Sequence, residues 1–288
     1  ITSLGLAYCN GASARAALIA DHNWLILGDS ENCPAGAPFI TTWQTTTANE
    51  SIRIPTVSSG YDFEVDWDGD GTYDDTYSGS SPNVTHIYPT SGVHTVQIRG
   101  DFPRIYFNDT GSKSKLETIE AWGDIAWTSM KNAFYGCNNM TYNATDIPDL
   151  SGVTDMSRMF SEVDNFNGDI GNWDVSTITT MNSLFWGASS FNQDIGNWNV
   201  SNVSNMNTMF FQAGSFNQDI GNWNTSSLSF MTGMFRDATS FNQDISNWNT
   251  SGVGFMLAIF FNASSFDQSL ANWDISNAFN MQEMLHNS

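Results

Sequence analysis

The sequence predicts two architectures in one chain: an α/β solenoid of short strands and short helices, preceded by an all-β sandwich. A 25-residue period predicts the solenoid, because Phe191–Trp198 returns as Phe216–Trp223 and again, with one change, as Phe241–Trp248. A fixed period of this length is typical of units that bury their apolar faces only against their neighbours. Alternating apolar and polar runs between residues 39 and 100, separated by turn residues, predict the sandwich.

Each repeat is expected to contain one short helix and one short strand. Apolar residues between Met206 and Ala213 recur at i, i+3, i+4 and i+7, which is the spacing of one helix face. The following segment, Phe216–Ile220, indicates a short strand, and Trp223 closes the unit. The large apolar side chains of one repeat are therefore expected to stack on those of the next.

The period also aligns polar residues into files, and two extra aromatics accompany the core phenylalanines. A file of aspartates repels itself unless each carboxylate accepts backbone N–H groups or a cation lies between neighbours. Two alternatives follow, namely turn-capping aspartates or a strip that holds a cation or ligand. The possible binding face comprises Asn192, Asp194, Asn217, Asp219, Asn242, Asp244, Trp186 and Phe211.

The stretch that begins at Asp66 is the best candidate metal site. Aspartates occupy its positions 1, 3 and 5 and glycine its position 6, which is the front half of a calcium loop. Position 12 is Tyr77, so a bidentate ligand would have to come from one of the two aspartates before it. The alternative is a hairpin whose Asp and Gly residues serve the turn. The candidate calcium ligands are Asp66, Asp68, Asp70, Thr72, Asp74 and Asp75.

Three cysteines are present. Cys9 and Cys33 flank a short segment and form the candidate disulfide pair, which would fit an extracellular location. Cys137 is expected to be a buried thiol. The absence of a CxxC pair argues against a zinc site.

Composition excludes several partners. The formal net charge is −21, with nine Lys and Arg against thirty Asp and Glu, which argues against nucleic acid and anionic membrane surfaces. The sequence contains no run of about 18 apolar residues, so it predicts no membrane span. The polar, weakly charged composition favours an extracellular or cell-surface location. The chain begins at Ile1 rather than Met, and we expect it to be cut from a longer protein.

Two resemblances can be stated on these residues. Met-x-x-Met-Phe followed by Phe-Asn-Gln-Asp-Ile-x-x-Trp, over about residues 130–288, resembles the BspA-like leucine-rich-repeat surface proteins of bacteria. The run Asp66–Gly71, followed by Thr85–Tyr88 and Gly92–Val96, resembles a PKD-like (polycystic-kidney-disease type) Ig-like module. The implied domains are a closing segment of a preceding solenoid (1–37), a PKD-like β-sandwich (38–100), an N-terminal cap (101–129) and a leucine-rich-repeat-like solenoid (130–288).

The expected function is that of a non-enzymatic structural or adhesive module of a large repetitive surface or filament protein. Its partners would be other copies or domains of the same protein, within a homo-oligomer or a filament. One alternative is a module that binds a surface peptide or glycan. Another is a polysaccharide-active enzyme, which is disfavoured because the repeats contain almost no Lys or Arg to act as a base and no common catalytic motif.

Overall fold

A computed structural model describes residues 36–288 of the chain. Eight β-strands occur in this part, and its one helical segment is a 3-10 turn at Lys113–Lys115. The strands are β1 (Phe39–Thr45), β2 (Glu50–Ile54), β3 (Tyr61–Asp66), β4 (Asp75–Gly79), β5 (Val84–Tyr88), β6 (Gly92–Asp101), β7 (Leu116–Ala121) and β8 (Thr141–Tyr142).

The strands form one six-stranded mixed sheet and one two-stranded sheet. The larger sheet has the order β4-β3-β6-β1-β7-β8, and the smaller one pairs β2 with β5. Every pairing is antiparallel except that of β7 with β8. Along β1, Phe39, Thr41, Trp43 and Thr45 are buried and the residues between them are only partly buried, which is the strict alternation expected of a strand with one core face.

The predicted fold class is wrong. The described residues contain no α-helix, and after β8 the repeats pair only through isolated parallel bridges. The predicted helix between Met206 and Ala213 and the predicted strand Phe216–Ile220 are both absent. The β-rich part is not a separate sandwich either, because β1 pairs with β7 on its far side and the main sheet therefore continues past residue 100. The domain boundaries stay predictions.

Alternate backbone amides of each repeat donate to carbonyl groups of the next repeat, and amides between them close tight turns within their own repeat. The amide of Thr208 donates to the carbonyl of Thr232 at 2.8 Å, and the amide of Met209 closes a turn on Met206 at 3.2 Å. Thr208 and Gln212 have φ of +50° and +59°, values that an α-helix excludes. Two tight turns thus place apolar side chains at the spacing that predicted a helix.

Aromatic rings stack from repeat to repeat inside this scaffold. Ring centroids lie 5.8 Å apart between Phe191 and Phe216 and 6.0 Å apart between Phe216 and Phe241. A second file places Phe185 and Phe210 5.7 Å apart, and the two files touch where Phe210 meets Phe216 at 4.0 Å. All five side chains are fully buried. The aromatic files therefore form a continuous apolar core through the repeats.

From Trp198 onwards, the repeated tryptophan links its repeat to the one before it. The indole Nε1 of Trp198 donates to the carbonyl of Ile170 at 2.9 Å, and Trp223 donates to Ile195 at 3.0 Å. The same bond recurs in the next two repeats. Since these indole rings are almost fully buried, each bond satisfies a donor that would otherwise lack a partner, and it adds a second donor to a carbonyl that already accepts a backbone amide.

A glycine substitution distinguishes the observed turn from a helix. Ala258 has φ of +52°, so Ala258→Gly relieves left-handed strain and should leave stability between unchanged and about 1 kcal/mol higher. In a helix the same change would destabilise by about 1 kcal/mol. Urea unfolding measures the difference. The matched control is Ala238→Gly, at a buried alanine without positive φ, which should lose about 1–2 kcal/mol.

Candidate functional site

The buried carboxylate of Asp66 organises the turn between β3 and β4. One oxygen, Oδ1, accepts the amides of Gly69 at 2.7 Å and Asp68 at 3.2 Å, and Oδ2 accepts the amide of Gly71 at 2.8 Å. Both glycines adopt positive φ, +75° and +90°. The three N–H dipoles compensate the buried charge, and the turn folds around the carboxylate.

Two exposed aspartates join Asp66. Carboxylate oxygens of Asp66, Asp68 and Asp74 all lie within 4.8 Å of one another. Calcium prefers six to eight hard oxygen ligands, so three carboxylates, completed by water, are a donor set that fits the ion. The structure brings together three of the six predicted ligands. We call these three side chains the aspartate triad.

The other predicted ligands lie outside the triad. Asp70 turns its Oδ1 to the amide of Thr72 at 2.7 Å, which closes a small exposed turn. Asp75, at the start of β4, accepts the indole N–H of Trp67 at 2.9 Å. Asp74 Oδ2 accepts the amide of Trp67 at 2.9 Å, and this bond holds Asp74 next to Asp66.

Aromatic and imidazole rings pack beside the triad. Tyr88 donates its hydroxyl to the carbonyl of Trp67 at 2.7 Å. Burial, with the nearby charges of Asp68, Asp66 and Asp74, raises the pKa of Tyr88, so the hydroxyl remains a donor. His94 stacks on Tyr88 with centroids 3.6 Å apart. Burial, and then the charge of His86, lower the pKa of His94 below its ordinary 6.5.

The asparagine file of the possible binding face is bonded along the stack. Asn192 Oδ1 accepts the amide of Asn217 at 2.9 Å, and Asn217 Oδ1 accepts the amide of Asn242 at 2.8 Å. These side chains connect successive repeats and have their oxygen atoms already engaged. The asparagine file therefore contributes to stacking.

The aspartate file of the same face closes turns. Asp194 Oδ1 accepts the amide of Gly196, and Asp219 Oδ1 accepts the amide of Gly221, both at 2.9 Å. Asp244 accepts the amide of Ser246 in the same way, and the bonds from Ser246 lower the pKa of Asp244. This geometry matches the turn-capping alternative for these residues.

The two extra aromatics stack within the molecule. Trp186 and Phe211 are half-buried, with ring centroids 5.6 Å apart. The guanidinium of Arg236 lies 5.6 Å from the ring of Phe211 and 4.5 Å from that of Phe261. Arg236 and Phe261, which were not predicted to belong to this file, occupy the position of Trp186 in later repeats. These rings therefore contact one another and Arg236 along the stack.

The most exposed aromatics of the inner repeats are others, which the sequence analysis missed. Phe230 is 44% exposed and Phe255 41% exposed. The available signal was a break in the pattern, because other repeats carry Asp155, Thr180 or Asn205 at this position.

Of the three cysteines, only Cys137 lies within the part of the chain that the structure describes. Cys9 and Cys33, together with the rest of the predicted closing segment before residue 36, lie outside the described residues. Cys137 is a buried free thiol, as predicted, and burial raises its pKa well above its ordinary value.

The geometry defines a repeat protein whose units are joined by backbone ladders and aromatic files. Its family is the Mycoplasma protein of unknown function family, DUF285, whose model matches residues 128–229 and 201–288. These matches span more than half of the chain, which therefore belongs to this family, and they support the BspA-like nature of the repeats. No curated protein and no solved structure matches the chain. Between residues 36 and 288, no helix has the length and apolarity required to cross a membrane.

Removing the Asp66 carboxylate tests its role in the turn. Asp66→Ala leaves three amides without their charged acceptor, so we expect unfolding free energy to fall by at least about 3 kcal/mol in a denaturant titration. Asp70→Ala, at an exposed position, is the control and should lose less than about 1 kcal/mol. Equal losses for the two variants would contradict the assigned role.

Stability should depend on pH through His94. Its pKa is lower in the folded state, so the unfolded chain binds the proton more readily and stability should fall as pH decreases below about 6.5. His94→Gln should make the melting temperature less dependent on pH between 7 and 5, measured by thermal melting. An unchanged pH dependence in this variant would contradict the assignment.

Proposed function

We propose that this chain is a non-enzymatic structural and adhesive module of a large repetitive bacterial protein at the cell surface or in a filament. The proposal extends the BspA-like family membership to the function of leucine-rich-repeat surface proteins of that type. We also infer that β1 to β6 are related to PKD-like modules, which the Asp66–Gly71 turn supports. Its work would be attachment or self-assembly outside the cell.

The observation that carries the proposal is the uniform contact between repeats. Each repeat offers alternate amides to the next one, and the same phenylalanine and tryptophan contacts recur at each step. Such a scaffold lengthens by adding units without new kinds of contact. That property suits a protein that must extend from a surface.

Catalysis has little support from the repeats. Their regularly spaced carboxylates, Asp194, Asp219 and Asp244, each close a turn in their own repeat. A catalytic carboxylate normally departs from its neighbours in environment. We therefore propose scaffolding rather than polysaccharide cleavage.

A second candidate is a peptide- or glycan-binding module. The partly exposed rings of Phe230 and Phe255 favour it, because they lie in adjacent repeats and place apolar surface in an otherwise polar file. Under this alternative the ligand would be foreign to the protein, and attachment to a surface would occur without association of copies.

We also propose that the aspartate triad binds calcium. Thermal melting in 2 mM calcium, compared with EDTA, should raise the melting temperature of the intact chain by several degrees. Asp68→Asn should abolish most of that shift, while Asn83→Asp, which adds an exposed charge elsewhere, should leave it intact. If calcium leaves the melting temperature of the unaltered protein unchanged, the proposed calcium site is wrong.

Surface location is tested on intact cells of the producing bacterium. Antibodies to the chain should label intact cells or their filaments, and external protease should remove the label. A strain without the protein should attach to surfaces or to other cells several-fold less. Labelling that requires permeabilised cells would contradict the proposal, and so would unchanged attachment combined with unchanged filament formation.

A further inference from the structure

The file of repeated tryptophans is interrupted at one point. Tryptophan recurs every 25 residues from Trp173 to Trp273, but one interval before Trp173 the chain carries Pro148. The interruption falls in the repeat that begins at Met130, which is 26 residues long instead of 25. Trp173 therefore has no tryptophan in the repeat before it, and its ring meets Trp122 edge to face with centroids 5.4 Å apart.

A cleft with a volume of about 230 Å³ lies at this interruption. Buried Ala144 and Trp173 line its inner part. The exposed residues at its mouth are Thr145, Ile147, Asp169 and Asn172. Since one water molecule occupies about 30 Å³ of liquid, the cleft has room for about eight waters or for a single sugar ring. The cleft is therefore open to solvent and has the size of a small ligand.

The indole N–H of Trp173 lacks the hydrogen bond that its counterparts make. From Trp198 onwards this donor reaches the carbonyl 28 residues earlier, whereas the buried Nε1 of Trp173 has no hydrogen-bond partner within residues 36–288. The equivalent carbonyl would be that of Thr145, which lines the cleft. The hydroxyl of Tyr142 lies near this donor but already accepts the indole N–H of Trp122 at 2.8 Å. Buried donors are rarely left unpaired, so this N–H indicates an acceptor that the fold does not supply.

Two carboxylates line the same cleft. Asp146 is held in place by the backbone amides of residues 122 and 123, which donate to it at 2.8–3.0 Å. Asp169 accepts the amide of Gly171 with Oδ1 at 3.2 Å, and its Oδ2 has no hydrogen-bond partner in the part of the chain that the structure describes. None of the residues that line the cleft is Lys, Arg or His. A matching ligand must donate hydrogen bonds to the carboxylates and accept one from the indole.

Sugar hydroxyl groups meet both requirements. A hydroxyl donates and accepts at the same time, so adjacent hydroxyls of one sugar can bind the carboxylates and satisfy the indole N–H. An ammonium group donates but cannot accept, and an anion would be repelled by both carboxylates and by the net charge of −21. The side chains of Ala144 and Ile147 add the apolar surface that the C–H groups of a sugar ring can contact. The lining therefore favours a neutral sugar.

We propose that this cleft binds one neutral sugar unit of a glycan, with Asp146 and Asp169 accepting from its hydroxyls and Trp173 donating to one of them. The proposal rests on the adhesive function proposed above and names the class of ligand. A single sugar makes few contacts, so its dissociation constant should be on the order of 1 mM. Several copies of the chain on one surface would then attach through many weak contacts.

An NMR titration of the whole chain tests the proposal. The probes are the methyl glycosides of glucose, galactose, mannose and N-acetylglucosamine, each added to about 50 mM, well above the expected dissociation constant. At least one glycoside should shift the indole N–H resonance of Trp173 and leave that of Trp248, three repeats away, unchanged. The shift as a function of concentration gives the dissociation constant.

One matched pair of variants tests the carboxylate. Asp169→Asn removes the charge that strengthens a bond from a hydroxyl but keeps an oxygen for the amide of Gly171. Its dissociation constant should therefore rise about tenfold while its melting temperature stays the same. Asp194→Asn makes the same change one repeat further on, outside the cleft, and should leave both quantities unchanged.

A second matched pair separates binding from packing. Trp173→Phe removes an N–H that the fold does not use, so the affinity should fall several-fold at an unchanged melting temperature. Trp198→Phe removes an N–H that bonds to the carbonyl of Ile170, so the melting temperature should fall at an unchanged affinity. The same fall in melting temperature for both variants, without loss of affinity in Trp173→Phe, would contradict the assigned role of Trp173.

The outcomes separate this inference from the general function. If none of the glycosides shifts the Trp173 resonance, the sugar site is wrong, whereas the cell-labelling experiment decides the surface location independently. Binding of methylammonium chloride in place of the glycosides would overturn the ligand class. Equal losses of affinity in Asp169→Asn and Asp194→Asn would place the sugar outside this cleft and would also overturn the proposal.

Discussion

The repeat region depends on one constraint: alternate backbone amides must reach carbonyl groups 24 residues further along the chain. The bond from Thr208 to Thr232 and its equivalents repeat this step through the stack. The constraint explains why the spacing of Met, Phe and Trp is so constant, since a single insertion would move a whole unit out of register. It also explains the positive φ at Thr208 and Gln212, because the chain must turn twice to present alternate amides in one direction.

Stacking of side chains follows from that backbone arrangement. Parallel alignment brings identical residues side by side, so Phe216 contacts Phe191 and Phe241 by symmetry of the repeat. The same alignment turns Asn217 into a link between repeats and leaves aspartates to close turns. Positions that face water can vary between repeats. At 230 and 255, phenylalanine replaces the polar residues that other repeats carry at this position. Function is therefore expected at departures from the pattern.

The sequence allowed the stacking contacts to be predicted but not the local backbone. The 25-residue period identified the files through Phe191 and Phe216 because like residues in stacked units must meet. The same period led to the incorrect prediction of a helix, because paired tight turns produce the same apolar spacing. The positive φ at residues such as Thr208 cannot be inferred from the residue type. In the candidate metal site, spacing identified Asp66 and Asp68. It could not show that Asp70 would turn away, since that depends on local hydrogen bonding.

Through-hydrogen-bond NMR coupling tests the central claim most directly. Coupling between the amide nitrogen of Thr208 and the carbonyl carbon of Thr232, with corresponding couplings in neighbouring repeats, is the result that the stacked-turn backbone requires. Coupling of Thr208 to the carbonyl of Ser204, four residues earlier, would identify an α-helix and contradict the account.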